Sequence, residues 1–414
     1  GAGAGTITVM SFLKGKTPLF SICPLHSRPW VGYTVSNGLF IAVSPEGEPF
    51  QMKKIHKIVI TGGPCAGKST ALSWIQNAFT QRGYTVLFVP ETATELITGG
   101  VAPWTCGTNL DYQKCQMKLQ MEKERLFMQA AHTMDASKIL IVCDRGAMDN
   151  CAYMTQEEFA QVLAYVGANE LELRDSYDAV FHLVTAAKGA EEFYTMANNA
   201  ARYETPEQAV AMDDKLLAAW TGHPHLRVID NAYDFGDKMK ALIAEIASTL
   251  GEERGPVENK RRFLIEYPDI AWLEKNPTCR RVEIIQTYLV SQNDEEVRVR
   301  QSGSKGHYVY YRTSRRSIPG QKAIEVERRL TNNEYLTLLM DADTSRRQIR
   351  KTRFCLTYKN QSFEIDVYPF WQKQAIAEIE LTGDTADVSF PEEITVIREV
   401  TGDKDYETSA LSML

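Results

Sequence analysis

From His56 onward, short apolar runs alternate with longer stretches in which apolar residues recur every three or four positions. The runs are "HKIVIT", "YTVLFV", "ILIVCD", "AVFHLV" and "LRVID"; the spacing between them predicts helices over about 69–82 and 111–132. Each run is apolar at nearly every position, so each strand needs cover on both faces. That predicts an α/β domain with a parallel sheet and helices on both sides, over residues 52–250. After "TLGEERGPVENK" the period falls to two, in "RRVEIIQTYLV", "EEVRVRQS", "HYVYYRTS", "AIEVERRL", "KTRFCLTYKNQSFEIDVYPF" and "AIAEIELTG". Strands of this kind at hairpin spacing predict an antiparallel β-barrel or curved sheet in an α+β domain over 258–414, behind a linker at 251–257. Residues 1–51 keep no sustained period. They read as an extension, poorly ordered or foreign to the natural chain, or as a small β-rich appendage using Tyr33 to Val43. Met52 opens "MKKIHKIVITGG", a natural start for the first regular domain.

Composition narrows the function classes. At 414 residues and 44% hydrophobic, the chain can build two or three cores. No apolar run reaches the length of a bilayer span, so no transmembrane segment is expected. A net charge of -7 supplies no general attraction for nucleic acid or anionic lipid, and no nucleic-acid partner is expected. The eight cysteines form no C-x-x-C pair and no zinc-like cluster, which fits a reducing cytoplasm.

The first run leads into "TGGPCAGKST", where Gly62, Gly67, Lys68 and Ser69 satisfy G-x-x-x-x-G-K-[ST] between a strand and a helix. Glycines let the backbone close on phosphate oxygens, and successive N–H groups with the helix N-terminus hold the negative charge. Gly63 and Thr70 belong to the same cradle. Lys68 is expected at the β and γ phosphates of ATP or GTP, and the Ser69 hydroxyl at magnesium. Carboxylates at strand ends then decide between binding and turnover. "ILIVCDRG" ends in Asp144, placed to hold magnesium, and in Arg145, placed against the phosphates. Glu91 ends the preceding strand and is a general-base candidate, as are Asp144 and Asp149; alternatively Glu91 is an acid at a helix N-terminus. Further on, Lys188 and Arg202 lie where a lid could donate cations to the transferring group, with a solvated surface as the other reading for Arg202.

The stretch from about Lys54 to Leu250 resembles the AAA-like P-loop ATPase/kinase family that includes the ribosylnicotinamide kinase domains. The resemblance rests on "GGPCAGKST", "VPETATELI", "CDRG", "ARYETPEQA" and "DDKLLAAWTGHPHLRVIDN". It implies nucleoside-triphosphate binding with magnesium and a five-stranded core, and leaves the phosphate acceptor open.

In the second domain, charges recur at i and i+2: Arg298 with Arg300, then Arg312, Glu325 with Glu327, Lys351 with Arg353, Glu364 with Asp366, and Glu378 with Glu380. One reading is a solvated outer face. The other is a lumen with arginines for phosphates and carboxylates for a divalent ion. Residues 256–414 resemble a CYTH domain of the triphosphate tunnel metalloenzymes, through "ENKRRFLI", "QTYLV", "VRVR", "YVYYRT", "EVE", "KTRF", "FEIDVY", "AEIEL" and "REVTGDKDY". The resemblance implies phosphate contacts from Arg262, Arg298, Arg300, Arg312, Lys351 and Arg353. It also implies metal ligation, by magnesium or by manganese in the tunnel, from Glu258, Glu327, Asp366, Glu378 and Glu380. One position departs from the family pattern: the second glutamate of its opening E-x-E-x-K is Lys260 here, and the lysine is Arg262. A cation in place of a metal ligand removes one donor and repels the ion.

Two functional expectations follow. In one, an ATPase or kinase is joined to a tunnel that binds, and also hydrolyses, a triphosphate or other phosphorylated small molecule. In the other, the nucleotide domain is a switch and the tunnel a binding module without catalysis.

Overall fold

Alternation inside single strands decides how the layers of the first domain form. In the computed structural model β5 (Lys54–Thr61) lies at the centre of a five-stranded parallel sheet with β6 (Thr85–Val89), β7 (Lys138–Asp144), β8 (Ala179–Leu183) and β9 (Leu226–Ile229), in the order β6-β7-β5-β8-β9. Ile58 and Ile60 point to one side, where Leu140, Val142 and Phe181 join Ala71, Ile75 and Phe79 of α1 (Lys68–Gln81) and Met239, Leu242 and Ile246 of α7 (Phe235–Thr249). Val59, Ile139, Ile141 and Val180 point to the other side. There they meet Met117 of α3 (Asn109–Thr133), Phe159 and Val162 of α4 (Gln156–Val166), and Leu217 and Trp220 of α6 (Pro206–Trp220). Both faces are therefore dry, as near-continuous apolar strands require. Two short helices, α2 (Thr92–Thr98) and α5 (Glu170–Arg174), complete the domain.

The structure describes residues 8–10, 20–22, 32–36, 39–43, 53–190, 205–231, 234–252, 259–291, 295–304, 306–316, 324–381 and 387–413. Arg202, Glu258 and most of 1–51 and 251–257 lie outside them. The chain forms two units, Gly1–Lys54 and Ile55–Leu414. In the first unit β1 (Thr8–Met10) pairs antiparallel with β2 (Phe20–Ile22), and β3 (Gly32–Ser36) with β4 (Leu39–Val43), the latter pair lying within the stretch expected to form a β-rich appendage.

The second half of the larger unit is a nine-stranded antiparallel sheet. Its strands are β10 (Asn259–Glu266), β11 (Cys279–Leu289), β12 (Glu295–Ser304), β13 (His307–Arg316), β14 (Ile324–Leu330), β15 (Ile349–Tyr358), β16 (Gln361–Val367), β17 (Gln374–Leu381) and β18 (Val396–Glu399). Their order is β14-β13-β12-β11-β15-β16-β17-β10-β18. Among the described residues no pairing joins β14 to β18, so of the expected barrel or curved sheet the antiparallel sheet is shown and closure is not.

One face of this sheet carries Phe263, Ile265, Phe354, Leu356, Phe363, Ile365, Ala377 and Ile379, covered by Leu273 of α8 (Ile270–Lys275) and by Phe390. The register places the charges on the opposite face: Lys260 pairs with Glu380, Arg262 and Glu364 with Glu378, and Arg353 with Asp366. On this face Lys351 is 7%, Asp366 0% and Glu378 6% exposed, so the middle of the charged row is not a solvated outer surface, while Lys260 at its end is exposed. Helix α9 (Asn332–Leu338) packs Tyr335 on Tyr310 of β13, and α10 (Thr408–Leu411) packs Leu411 beside Ile349. Arg312 is a correction. It pairs with Val299 and Arg328, while its neighbours Tyr311 and Thr313 pair with Arg300 and Arg298, so Arg312 sits on the other face from the charged row.

Candidate functional site

The loop between β5 and α1 takes its shape from two glycines. Gly62 has φ +141°, and a Cβ there would sit 2.1 Å from the Leu183 carbonyl oxygen. Gly67 has φ +88° at the N-cap of α1, and a Cβ there would sit 2.5 Å from the Phe235 ring. Only glycine meets both demands without displacing a neighbour. Lys68 then opens α1 and turns back to donate from Nζ to the Gly62 carbonyl at 3.1 Å. Burial, and next the Arg145 guanidinium, pull its ammonium down from 10.5 to about 8, against the attraction of Glu91, Asp144 and Asp149. Ser69 and Thr70, the next two residues of α1, are exposed.

The ends of β6 and β7 bring the expected carboxylates to the same edge. Arg145, held at φ +67°, donates from Nε to Glu91 at 2.6 Å. Burial opposes ionisation of Glu91, but Arg145, the Thr94 hydroxyl at 2.7 Å and Lys68 outweigh it and hold its carboxyl below the usual value. Glu91 does stand at the N-cap of α2, yet its side chain makes no cap hydrogen bond and turns to Arg145 instead. Asp144 differs. Its buried Oδ1 has no hydrogen-bond partner, and desolvation with the nearby Glu91 charge pushes its carboxyl up. An orphaned carboxylate oxygen beside the helix start that carries Ser69 suits a hard divalent ion, so the residues present fit magnesium.

Asp149, the third base candidate, has a structural task. Its carboxylate accepts from the Thr61 hydroxyl at 2.5 Å, the Trp220 indole at 3.0 Å and the Gly146 amide at 2.7 Å, and the residue is 2% exposed. With both oxygens engaged it ties β5 and α6 to the turn after β7.

Sequence reasoning missed Asp213. This fully buried residue of α6 accepts from the Gly63 amide at 2.8 Å, the Thr185 amide at 3.2 Å and Lys188 Nζ at 2.9 Å, and lies 3.1 Å from His182 Nε2. Burial opposes its charge, but His182 and Lys188 hold its carboxyl well below the usual range. Nothing local signals this, since "MDDK" inside a helix reads as surface charge; the partners are 25 to 150 positions away. Lys188 also donates to Asp214 at 2.6 Å and to Asn360 at 2.9 Å, in the turn between β15 and β16. Lys238 closes the far side, donating to the carbonyls of Ala66 and Val184 and to Asn231; burial pulls its ammonium down to about 8.

The charged face of the nine-stranded sheet is organised differently, because its carboxylates are already engaged. Asp366 takes Lys351 at 2.5 Å and Arg353 at 2.7 and 2.8 Å; Glu364 also takes Arg353. Glu378 takes Arg262 at 2.6 Å and Lys260 at 3.0 Å. Glu327 takes Thr313 at 3.0 Å and Arg300 at 3.3 Å, with His225 of the first domain 3.1 Å away. Glu380 takes Arg227 of β9 at 2.8 Å. Glu327, Asp366, Glu378 and Glu380 are therefore each held by cations, and among the described residues no three His, Cys, Asp or Glu side chains form a group able to hold a metal. This donor set does not fit the divalent ion expected there. Arg298 lies near Glu296, at 3.7 Å. Arg300 stacks on Tyr311 at 4.9 Å, and its buried Nε has no hydrogen-bond partner.

Against known proteins, residues 57–238 match the family model of an AAA domain. Over that stretch the chain is similar to an AAA domain. No curated protein matches the chain. Among solved structures, an inorganic triphosphatase is 25% identical, over 39% of this chain and 98% of that one, at a TM-score of 0.28. A protein from Pyrococcus horikoshii OT3 is 14% identical over 30% of this chain and 80% of its own, at 0.23. A conserved hypothetical protein from Pyrococcus furiosus is 15% identical over the same shares, at 0.22. At such scores the likeness decides nothing about this chain. No helix among the described residues is long and apolar enough to cross a membrane.

Proposed function

We propose that the glycine loop binds ATP or GTP with magnesium and that the nucleotide is consumed there by transfer or hydrolysis of its γ-phosphate. The observation that supports this is the meeting of half-buried Lys68, the Glu91–Arg145 pair and the unpartnered Asp144 oxygen at one sheet edge. Simple retention of a phosphate needs the loop and lysine alone. Carboxylates at strand ends add a metal ligand and a group that can receive a proton. Asp144 and the Ser69 hydroxyl are the residues to hold magnesium, which supplies charge neutralisation on the phosphates when bound. Lys68 and Arg145 hold fixed positive charge where negative charge develops, without reorganising. Glu91, kept ionised by Arg145, orients the attacking hydroxyl and accepts its proton. Arg202 remains the proposed closing cation of the lid.

The test is phosphate release from ATP and GTP by the full chain and by Lys68→Ala. Loss of at least about 100-fold is expected on removal of a preorganised cation. Unchanged release in Lys68→Ala would assign the activity elsewhere. A second reading, a nucleotide-dependent switch acting on a phosphate-binding sheet, draws support from Lys188, which joins Asp213 beside Gly63 to Asn360 of the β15–β16 turn. In both readings the charged sheet face receives a triphosphate or related phosphorylated small molecule.

A further inference from the structure

We infer that the charged sheet face is a metal-free receptor for short polyphosphates, in which the Lys260 ammonium takes the place a divalent ion would need among the carboxylates. The inference rests on the reading that this face receives a triphosphate-class anion, and it specifies how.

Lys260 stands opposite Glu380 in the β10–β17 ladder and reaches Glu378 at 3.0 Å. The carboxylates Glu378, Glu364 and Glu380 all attract it. A dication entering the same space would meet the half-exposed Lys260 ammonium paired with Glu378 instead of a ligand, and would have to strip Arg262 from Glu378 and Lys351 with Arg353 from Asp366. Each of those carboxylates is bound to protein cations through both oxygens. Both oxygens of each are therefore already committed to protein cations that a metal would have to displace.

Cations fare otherwise. Lys260, Arg262, Lys351 and Arg353 face Asp366, Glu378, Glu364 and Glu380, four cations to four carboxylates, with Arg227 shared between Glu380 and Glu245. Arg300, further along the same face, keeps a buried Nε without a partner. Guanidinium forks match phosphate oxygens two at a time, and a chain of phosphates can replace several carboxylates at once. A polyanion therefore has something to gain here, and a metal does not.

Calorimetric titration of the full-length Lys68→Ala protein with tripolyphosphate, in EDTA and then in excess magnesium, separates the outcomes, because the glycine loop is silenced in both arms. Binding in EDTA within about threefold of that in magnesium is the expected result. Binding that appears only with magnesium overturns the metal-free receptor while leaving the phosphate-binding reading intact. Absence of binding in both arms overturns the underlying reading. Lys260→Glu supplies the second measurement: it should weaken binding in EDTA at least tenfold and create a Mn2+ site visible by electron paramagnetic resonance. Lys260→Met, which removes the charge without adding a carboxylate, should weaken EDTA binding and gain no Mn2+ signal. A Mn2+ signal of equal strength in the unsubstituted protein would also overturn it.

Discussion

The two charged regions of this protein hold similar side chains in opposite states. At the glycine loop, Lys68 is bonded to a backbone carbonyl and Asp144 keeps a buried oxygen without a partner. On the sheet face, Lys351 and Asp366 are more deeply buried than half-buried Lys68 and Asp144, yet they are locked together at 2.5 Å. Burial pulls both lysines to about 8, so desolvation alone does not separate them. The partner does. An orphaned buried charge costs free energy until a ligand meets it, whereas a paired charge holds the fold together and yields only to a ligand that offers more. The first state suits a site that turns a substrate over with a metal; the second suits a receptor that exchanges one anion for another.

The largest effect expected from that difference is on stability. Asp366→Ala leaves Lys351 and Arg353 buried without their shared carboxylate and should cost about 3–5 kcal/mol in denaturant unfolding. Asp144→Asn removes a carboxylate that the fold already disfavours, so no loss, or a small gain, is expected in the same assay. Equal losses for the two variants would erase the distinction between a strained site and a saturated one.

Turnover should invert the order. Asp144→Asn should lower nucleotide-dependent phosphate release by about 100-fold, as loss of a metal ligand does, while nucleotide binding measured in EDTA changes little. Asp149→Asn tests the neighbouring assignment: its carboxylate ties Thr61, Gly146 and Trp220 together, so lowered thermal stability should accompany any loss of rate.

How much of this was open to sequence reasoning depended on the range of the interaction. Gly62, Gly67 and Lys68 are fixed by local backbone geometry, so their spacing is readable as text. Glu91, Asp144 and Arg145 follow from strand ends in a parallel sheet, which the apolar runs mark. Asp213 was hidden because its partners come from β8, from the loops after β5 and β8, and from nowhere near in sequence. Arg312 was misplaced for another reason. In "YVYYRTS" nearly every residue suits either face, so the local pattern has no phase, and only pairing with β12 and β14 sets it. The charged rows on β15, β16 and β17 were legible, but their mutual neutralisation was not. Alternation gives the face of a residue and says nothing of which charge it meets across the ladder.

A smaller effect should cross from one region to the other. Asn360→Ala removes the sheet's hydrogen bond to Lys188 and leaves Asp213 and Asp214 in place. A change in kcat/KM for nucleotide of up to about fivefold is expected, the worth of one such bond. If the two regions communicate through this turn, any effect of tripolyphosphate on phosphate release in the parent protein should shrink in the variant. An undiminished effect would rule out this route.

The smallest effect, and the most direct on Lys68, is a proton count. With its pKa near 8, Lys68 is about half protonated at pH 8 before nucleotide arrives. Phosphate oxygens favour the ammonium form and raise that pKa, so binding must take up a proton rather than release one. Calorimetry at pH 8 in two buffers of different ionisation enthalpy should register uptake of about half a proton per nucleotide, falling toward zero at pH 6.5 and rising toward one at pH 9.5. Lys68→Ala should lose this dependence. Lys351 also titrates near 8, but it meets Asp366 whether or not nucleotide is present, so Lys351→Met should leave the nucleotide-linked uptake as it was. Uptake that survives in Lys68→Ala and disappears in Lys351→Met would mean that the loop lysine and the carboxylate-paired lysine have been assigned the wrong way round.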